Sequence, residues 1–263
     1  MSTASPPGDT RRERLTANDF ERSWTSTALP TVSAALRRCL DGVTARSILD
    51  VGCGYGGIAA TLRDDLGVEE AHGVDVDRDV LGEARAKGVR AVRAEVGEEP
   101  LPYGDASFDI VTCFGMLDYL PWYDAAVDEI SRVLAPEGTV AVALPNLASW
   151  HNRLALLLGY QPRDVEFCTR KTVGLAPFYS SDVPVGHIHT PTIRAFREFM
   201  QLFGFAELET VALRRTSAAP VALQVVDRVL GRLPSLSRRF LYIGRRVSDP
   251  LPVTRTGWWA RRR

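Results

Sequence analysis

Ser47-Ile-Leu-Asp-Val-Gly-Cys-Gly-Tyr-Gly-Gly57 decides how this chain is read. It runs from a short apolar strand (Ile48, Leu49, Val51) into a turn holding Gly52, Gly54, Gly56 and Gly57, then into an apolar helix start at Ile58 to Leu62. Glycine is needed where the backbone turns tightly or must lie close against a ligand. Strand, glycine turn and helix in that order are the opening unit of a doubly wound α/β sheet. Asp50 refines the reading. In a dinucleotide fold a pyrophosphate sits at the helix N-terminus, where a nearby carboxylate would repel it. The same carboxylate suits a ligand that brings an ammonium group.

Working outward, strand and helix alternate. Strands are expected at 47–51, 71–76, 90–96, 108–114 and 139–144, with helices at 57–66, 78–87 and 122–134 and a turn at Pro136-Glu-Gly138. Such alternation implies parallel pairing. The stretch 145–189 breaks the rhythm: a helix near 147–158 gives way to loop, an insertion well placed at the carboxyl edge of the sheet to form a substrate pocket. A helix at 192–203 ending at Gly204, a strand at 206–213, a helix near 221–233 and a last strand at 240–246 complete the pattern. Upstream, residues 1–15 read as a disordered tail and short helices near 19–26 and 32–40 as a cover for the ligand mouth. The organisation is therefore an N-terminal tail with cap helices (1–45) and one catalytic domain (46–263) whose residues 147–190 form the substrate-side insertion.

The chain has 263 residues and a hydrophobic fraction of 45%, ordinary for a globular protein. Lys plus Arg (32) balances Asp plus Glu (32), and no basic stripe or RNA-binding module stands out, so nucleic acid is not the expected partner. No signal-peptide core or membrane-length apolar run appears, and four scattered cysteines read as reduced, so the expected location is cytoplasmic. No metal-ligand cluster is legible.

Two further segments carry chemistry. In Gly73-Val-Asp-Val-Asp77, Asp75 ends the second strand, where an acid accepts hydrogen bonds from ribose hydroxyls, while Asp77 fits the cap of the next helix. In Ala94-Glu-Val96 and Glu99-Pro-Leu-Pro-Tyr103, a carboxylate past strand three suits an adenine amino group; Glu95 is preferred, with Glu98 and Glu99 as rivals.

The order Ile48-Leu-Asp-Val-Gly-Cys-Gly-Tyr-Gly56, Gly73-Val-Asp75, Leu101-Pro-Tyr103, Phe108-Asp-Ile-Val111, Glu129-Ile-Ser-Arg-Val-Leu134, Pro136-Glu-Gly138 and Pro145-Asn146 resembles class I S-adenosylmethionine (SAM)-dependent methyltransferases, of the bacterial small-molecule type. The resemblance covers residues 46 to about 146, and continues weakly through Gly186-His187 and Phe203-Gly-Phe205. It implies a Rossmann-like seven-stranded sheet in the order 3-2-1-4-5-7-6, strand seven antiparallel, with helices on both faces. It implies SAM as cofactor: Asp50, Gly52, Cys53, Gly54 and Gly56 at the methionine end, Asp75 and Val76 at the ribose, Glu95 and Val96 at adenine, and Phe114, Gly115 and Met116 as the floor beside the methyl group. Pro191 stands where relatives often carry an aromatic residue, so no substrate is transferred.

The activity expected is methyl transfer to a hydroxyl, less so to nitrogen or carbon, of a small-molecule acceptor such as a secondary metabolite, sugar or lipid precursor. A hydroxyl acceptor is helped by a general base, and histidine suits neutral pH. His187 is the first candidate, followed by His189 and His151; His72 lies on a strand and reads as structural. Asp118 and Tyr119 are alternative substrate contacts. The competing classes are an NAD(P)-dependent oxidoreductase, disfavoured by Asp50 and by the missing Tyr-x-x-x-Lys pair, and a non-catalytic SAM-binding scaffold. The tail Arg255-Thr-Gly-Trp-Trp-Ala-Arg-Arg-Arg263 mixes tryptophan with arginine, which fits weak contact with an anionic membrane or, more simply, a solvated terminus. Oligomeric state is not legible.

Overall fold

The computed structural model describes residues 24–168, 170–179, 186–213 and 221–251. The expected N-terminal tail, the first part of the first cap helix and the Trp-Trp tail lie outside the described residues.

Seven strands form one sheet in the order β3-β2-β1-β4-β5-β7-β6. β1 (Ser47–Val51) lies parallel between β2 (Glu70–Asp75) and β4 (Phe108–Phe114); β3 (Arg90–Arg93) and β5 (Leu134–Pro145) extend the parallel part. β7 (Arg239–Arg246) pairs antiparallel with both β5 and β6 (Phe205–Leu213). This is the order expected from the resemblance, strand seven included.

The central strands are apolar on both sides, and alternate residues supply two cores. Leu49, Val51, Val111 and Cys113 face one side, covered by α4 (Asp124–Val133) and α6 (Ile193–Leu202) through Val127, Ile130, Phe196 and Met200. Ile48, Ile110 and Phe114 face the other, covered by α1 (Leu29–Cys39), α2 (Gly57–Leu66) and α3 (Arg78–Ala86) through Val32, Leu36, Leu62 and Ala84. Two further helices, α5 (Trp150–Leu157) and α7 (Val221–Leu230), are joined by the bond from Trp150 Nε1 to the Asp227 carboxylate.

Local chemistry explains most boundaries. Asp77 caps α3, its carboxylate accepting from Asp79 N at 2.9 Å, and Thr192 caps α6 by accepting from Ala195 N at 3.2 Å. Two expectations need correction. β3 stops at Arg93 rather than 96, because residues 94–99 fold back on themselves: Glu98 N and Glu99 N both donate to Glu95 O, and the Glu99 carboxylate accepts from Glu95 N at 2.8 Å. Glu95 thus sits on a loop at the sheet edge. β5 begins at Leu134, because Leu134 pairs with Phe108 before a register shift carries the chain through the expected turn, with Glu137 at φ 61.

Candidate functional site

A cleft of about 710 Å³ opens at the carboxyl ends of β1 to β4. This edge is where a doubly wound sheet leaves room for a ligand, because loops diverge there to opposite faces. Its walls come from Gly52 after β1, Asp75 and Val76 after β2, Ala94 to Glu98 after β3, and Met116 with Tyr119 to Trp122 after β4, closed by Ala125 of α4.

The glycine loop forms its floor. Gly52 N and Cys53 N both donate to Val74 O, at 2.8 and 2.9 Å, which folds the loop over β2. Gly52 has φ 81, and a Cβ there would meet Met116 Cβ and Cγ at 2.9 Å; at Gly56, φ 75, a Cβ would lie 2.7 Å from that of Ala84. A side chain at either position would have to displace neighbours and hold a left-handed backbone.

Asp75 holds the loop to the second strand. One carboxylate oxygen accepts from Gly54 N at 2.8 Å and the other from Asp77 N at 3.0 Å. A carboxylate offers about four lone-pair sites, so two remain for a ligand in the cleft. On the neighbouring wall Glu95 is paired with Arg93 at 3.2 Å, and Arg93 also holds Glu99 at 3.1 Å. Glu98 lines the cleft beside Glu95, whereas Glu99 is turned into the Arg93 pair and the Glu95 amide. Val76, 54% exposed, offers a bare apolar surface between the carboxylates.

Of the residues expected to bind cofactor, Gly52, Asp75, Val76, Glu95, Val96 and Met116 line the cleft. The others stand just behind it. Asp50 is buried and accepts from Thr112 Oγ1 at 2.7 Å. The Cys53 thiol packs on Gly73, where a Cβ would lie only 2.6 Å from the sulfur. Gly54 donates its amide to Asp75, Gly56 starts α2, and Gly115 turns the chain out of β4 at φ 66. Phe114 faces the opposite core, its ring stacked on Trp24 at 4.8 Å, rather than the floor. Strand alternation is the reason: Phe114 shares the side of Ile110, while Met116 comes after the Gly115 turn.

The three candidate histidines separate cleanly. His151 on α5 is part-buried away from the cleft, its ring nitrogens 3.3 Å from Ser149 Oγ and from the Asp227 carboxylate. Burial, reinforced by Arg238, pulls its pKa down to about 4. His189 is exposed and places Nε2 2.6 Å from Pro121 O; a carbonyl only accepts, so Nε2 carries the proton. His187 is buried with Asp118, Nε2 lying 3.2 Å from one carboxylate oxygen, and with Asp164 3.9 Å from Nδ1. Neither the His187 nitrogens nor the Asp118 oxygens have an aligned hydrogen bond, so this close pair is held in place by the packing around it. Buried polar groups left so are rare and call for a physical reason. The His187 ring stacks on Tyr119, at 5.1 Å, and Tyr119 lines the cleft. Burial and the Asp118 carboxylate push the Tyr119 hydroxyl up to about 12, which leaves it a hydrogen-bond donor.

Sequence reasoning named Asp118, Tyr119 and His187 singly; their meeting depends on the insertion returning to β4, where Ile188 N donates to Asp118 O at 2.7 Å. It missed Leu120, Pro121 and Ala125 on the rim, for which the only signal is an apolar run without helical spacing, Leu117-Asp-Tyr-Leu-Pro-Trp122. Among the described residues no group of three or more His, Cys, Asp or Glu side chains is placed to hold a metal ion, and no helix is long and apolar enough to cross a membrane.

Residues 49–142 match the family model described as a methyltransferase domain. A ubiquinone biosynthesis O-methyltransferase of Alkalilimnicola ehrlichii is 35% identical over 114 residues, which cover 41% of this chain and 45% of that one. A probable S-adenosylmethionine-dependent methyltransferase of Mycobacterium tuberculosis is 34% identical over 154 residues, 55% of this chain and 52% of that one. The chain thus spans about half the length of the curated relatives it matches, or less. Among solved structures, an S-adenosylmethionine-dependent methyltransferase of Mesorhizobium loti superposes with a TM-score of 0.55 at 20% identity, covering 83% of this chain and 100% of that one, which shows the shared fold.

Proposed function

We propose that this chain, which matches a methyltransferase domain over residues 49–142, is a class I SAM-dependent methyltransferase and moves the sulfonium methyl group of SAM to a hydroxyl oxygen of a small molecule. One observation carries the reading: a single cleft joins the glycine loop and Asp75 to a wall of Tyr119 and Trp122 that is backed by the Asp118–His187 pair.

The residues present fit the cofactor. The Gly52 backbone lies bare in the cleft, where a side chain would strike Met116. Asp75, beside Val76, would offer acceptor sites to the ribose hydroxyls, Val96 would border the adenine, and Glu95 or Glu98 would accept from its amino group. Gly54 with the carboxylate of Asp50 would attend the methionine end. When bound, SAM supplies a methyl group already activated by positive charge, so no covalent nucleophile is asked of the protein.

What the chain supplies is alignment and a proton acceptor. His187 takes the acceptor's proton, and Asp118 stabilises the imidazolium that forms. Tyr119 turns aside from the His187 ring to admit the acceptor and, still protonated, donates a hydrogen bond to it. His151 and His189 keep to their structural partners. Oxygen is favoured as the methylated atom because the relative from Alkalilimnicola ehrlichii is an O-methyltransferase; the aromatic wall favours an acceptor with an apolar or planar part.

The test is calorimetric titration with SAM, S-adenosylhomocysteine and NAD, followed by transfer of labelled methyl to a panel of phenols, sugars and amines. Binding of both sulfur ligands with label on an oxygen is expected. Binding of NAD alone overturns the reading in favour of redox chemistry, and tight SAM binding with no transfer to any acceptor points to a scaffold.

A further inference from the structure

Exposed apolar side chains gather on α5, on the loop that follows it and on α7. Leu156, Leu157 and Leu158 end α5 in water, with Leu157 82% exposed, and Phe167 in the following loop is 76% exposed. On α7, Val225 and Val229 are more than half exposed, as is Leu233 just past its end. Val225 and Val229 are four residues apart and so share one face of the helix, and Leu233 follows past its end. Asp227 lies two residues from both Val225 and Val229, on the opposite side of the helix, and it points inward. Its carboxylate accepts from Trp150 Nε1 at 3.0 Å and faces His151, clamping α7 to α5. Trp150 N also donates to Leu236 O. The 161–175 loop is fastened to the same unit: Asn152 Oδ1 accepts from Arg163 N at 2.9 Å. The apolar side chains therefore stand on one braced body.

Charge singles out the same surface. Among the described residues of 150–179 and 221–238, the exposed charged side chains are Arg153, Arg170, Lys171, Arg228 and Arg232, all cationic. The acids of these segments are part-buried and engaged by protein groups: Asp164 beside His187, Glu166 on Gly186 N, Asp227 on Trp150. The whole chain has no net charge, so this is a local segregation.

We propose that this face, built from α5, α7 and the loop between 161 and 175, docks on the surface of an anionic lipid bilayer. Aliphatic side chains enter the acyl boundary while arginine and lysine meet the headgroup charge, which is how interfacial helices bind. A second copy of the chain is a poorer occupant, since it would set five cations against five. Nucleic acid is poorer too, because bases are held by stacked aromatic rings and the α7 face is aliphatic. The proposal does not depend on the methyl acceptor, and its readout is independent of activity.

The experiment is co-sedimentation of the full chain with phosphatidylcholine vesicles, with and without phosphatidylglycerol, at low and high salt. Binding only to the anionic vesicles, weakened by salt, is expected. The Lys171→Gln/Arg232→Gln variant should bind about 25-fold more weakly, from roughly fivefold per cation at the surface. Leu157→Ser with Val229→Ser, which leaves charge unchanged, should also lose binding while melting within a few degrees of wild type. Equal binding to neutral and anionic vesicles, or none to either, overturns the proposal. So does loss of binding in Trp258→Ser/Trp259→Ser with the face variants unaffected, which would assign lipid contact to the tail. A dimer that the Ser variant converts to monomer would identify the face as a self-association surface instead.

Discussion

Replacing Asp75 with Ala tests the cofactor assignment most directly. The side chain does two separable things. It accepts from Gly54 N and Asp77 N at 2.8 and 3.0 Å, which fixes the glycine loop against β2. Under the proposed function its remaining lone pairs accept two ribose hydroxyls. Bonds to a charged acceptor contribute roughly 1.5–3 kcal/mol each. Taking the lower figure for two bonds, because water reaches this half-exposed site, the loss is about 3 kcal/mol, or roughly a hundredfold in affinity at about 1.4 kcal/mol per tenfold. The Asp77 amide left behind is at an exposed site and the Gly54 amide only part-buried, so folding should lose about 1–2 kcal/mol. Calorimetric titration with S-adenosylhomocysteine measures the first quantity and a thermal melt the second. Asp75→Asn keeps one acceptor oxygen and should lose about tenfold. Asp77→Ala is the control: it removes the cap that accepts from Asp79 N, at a cost of about 1 kcal/mol in stability, yet should leave affinity unchanged. If Asp75→Ala bound within threefold of wild type, or if Asp77→Ala lost as much, the ribose assignment would fail.

Other expectations follow from the same geometry. Gly52→Ala puts a Cβ 2.9 Å from Met116 on a backbone at φ 81, so it should cost about 1–3 kcal/mol and weaken SAM binding together; a variant as stable as wild type in urea would show the loop to be slack. His187→Gln and Asp118→Asn should each lower kcat by about 100-fold or more with KM little changed, if His187 is the base, and Asp118→Asn should shift the acid limb of the rate profile. An undiminished kcat in either would remove the pair from the chemistry. His151 is held at about 4 in the folded protein against an ordinary 6.5, so the unfolded chain binds a proton that the native state refuses. Stability should therefore fall as pH drops from about 6.5 toward 4, by up to about 3 kcal/mol from this group. Urea unfolding of wild type and His151→Gln across that window checks it; parallel curves would contradict the burial argument.

Much of this was legible along the chain. The strand, glycine turn and helix at 47–62 and the alternation that follows are local patterns, and local patterns set which elements form. Asp75 at a strand end and Asp77 as a cap could be separated because a cap must immediately precede its helix. The sheet order came through resemblance to known methyltransferases, since pairing across the sheet is not written in any one segment. Element ends were less legible: β3 ends early because Glu99 reaches back to the Glu95 amide, a contact decided by the fold of the loop.

The sequence by itself determined the doubly wound class, the glycine loop and the acid that serves it, because each depends on residues close in the chain. Tertiary structure decided which side chains share the cleft. Phe114 and Met116 are near neighbours in sequence, but the alternation of β4 and the turn at Gly115 send one to the Trp24 core and the other to the cleft wall. Only folding joined His187 to Asp118, because the pair forms where an insertion longer than forty residues returns to the edge of β4. Only folding, too, engaged Asp164 and Glu166 with protein groups and left Leu156, Leu157 and Arg170 exposed. Contact at long chain separation is set by packing, and packing is a property of the whole sheet with its layers.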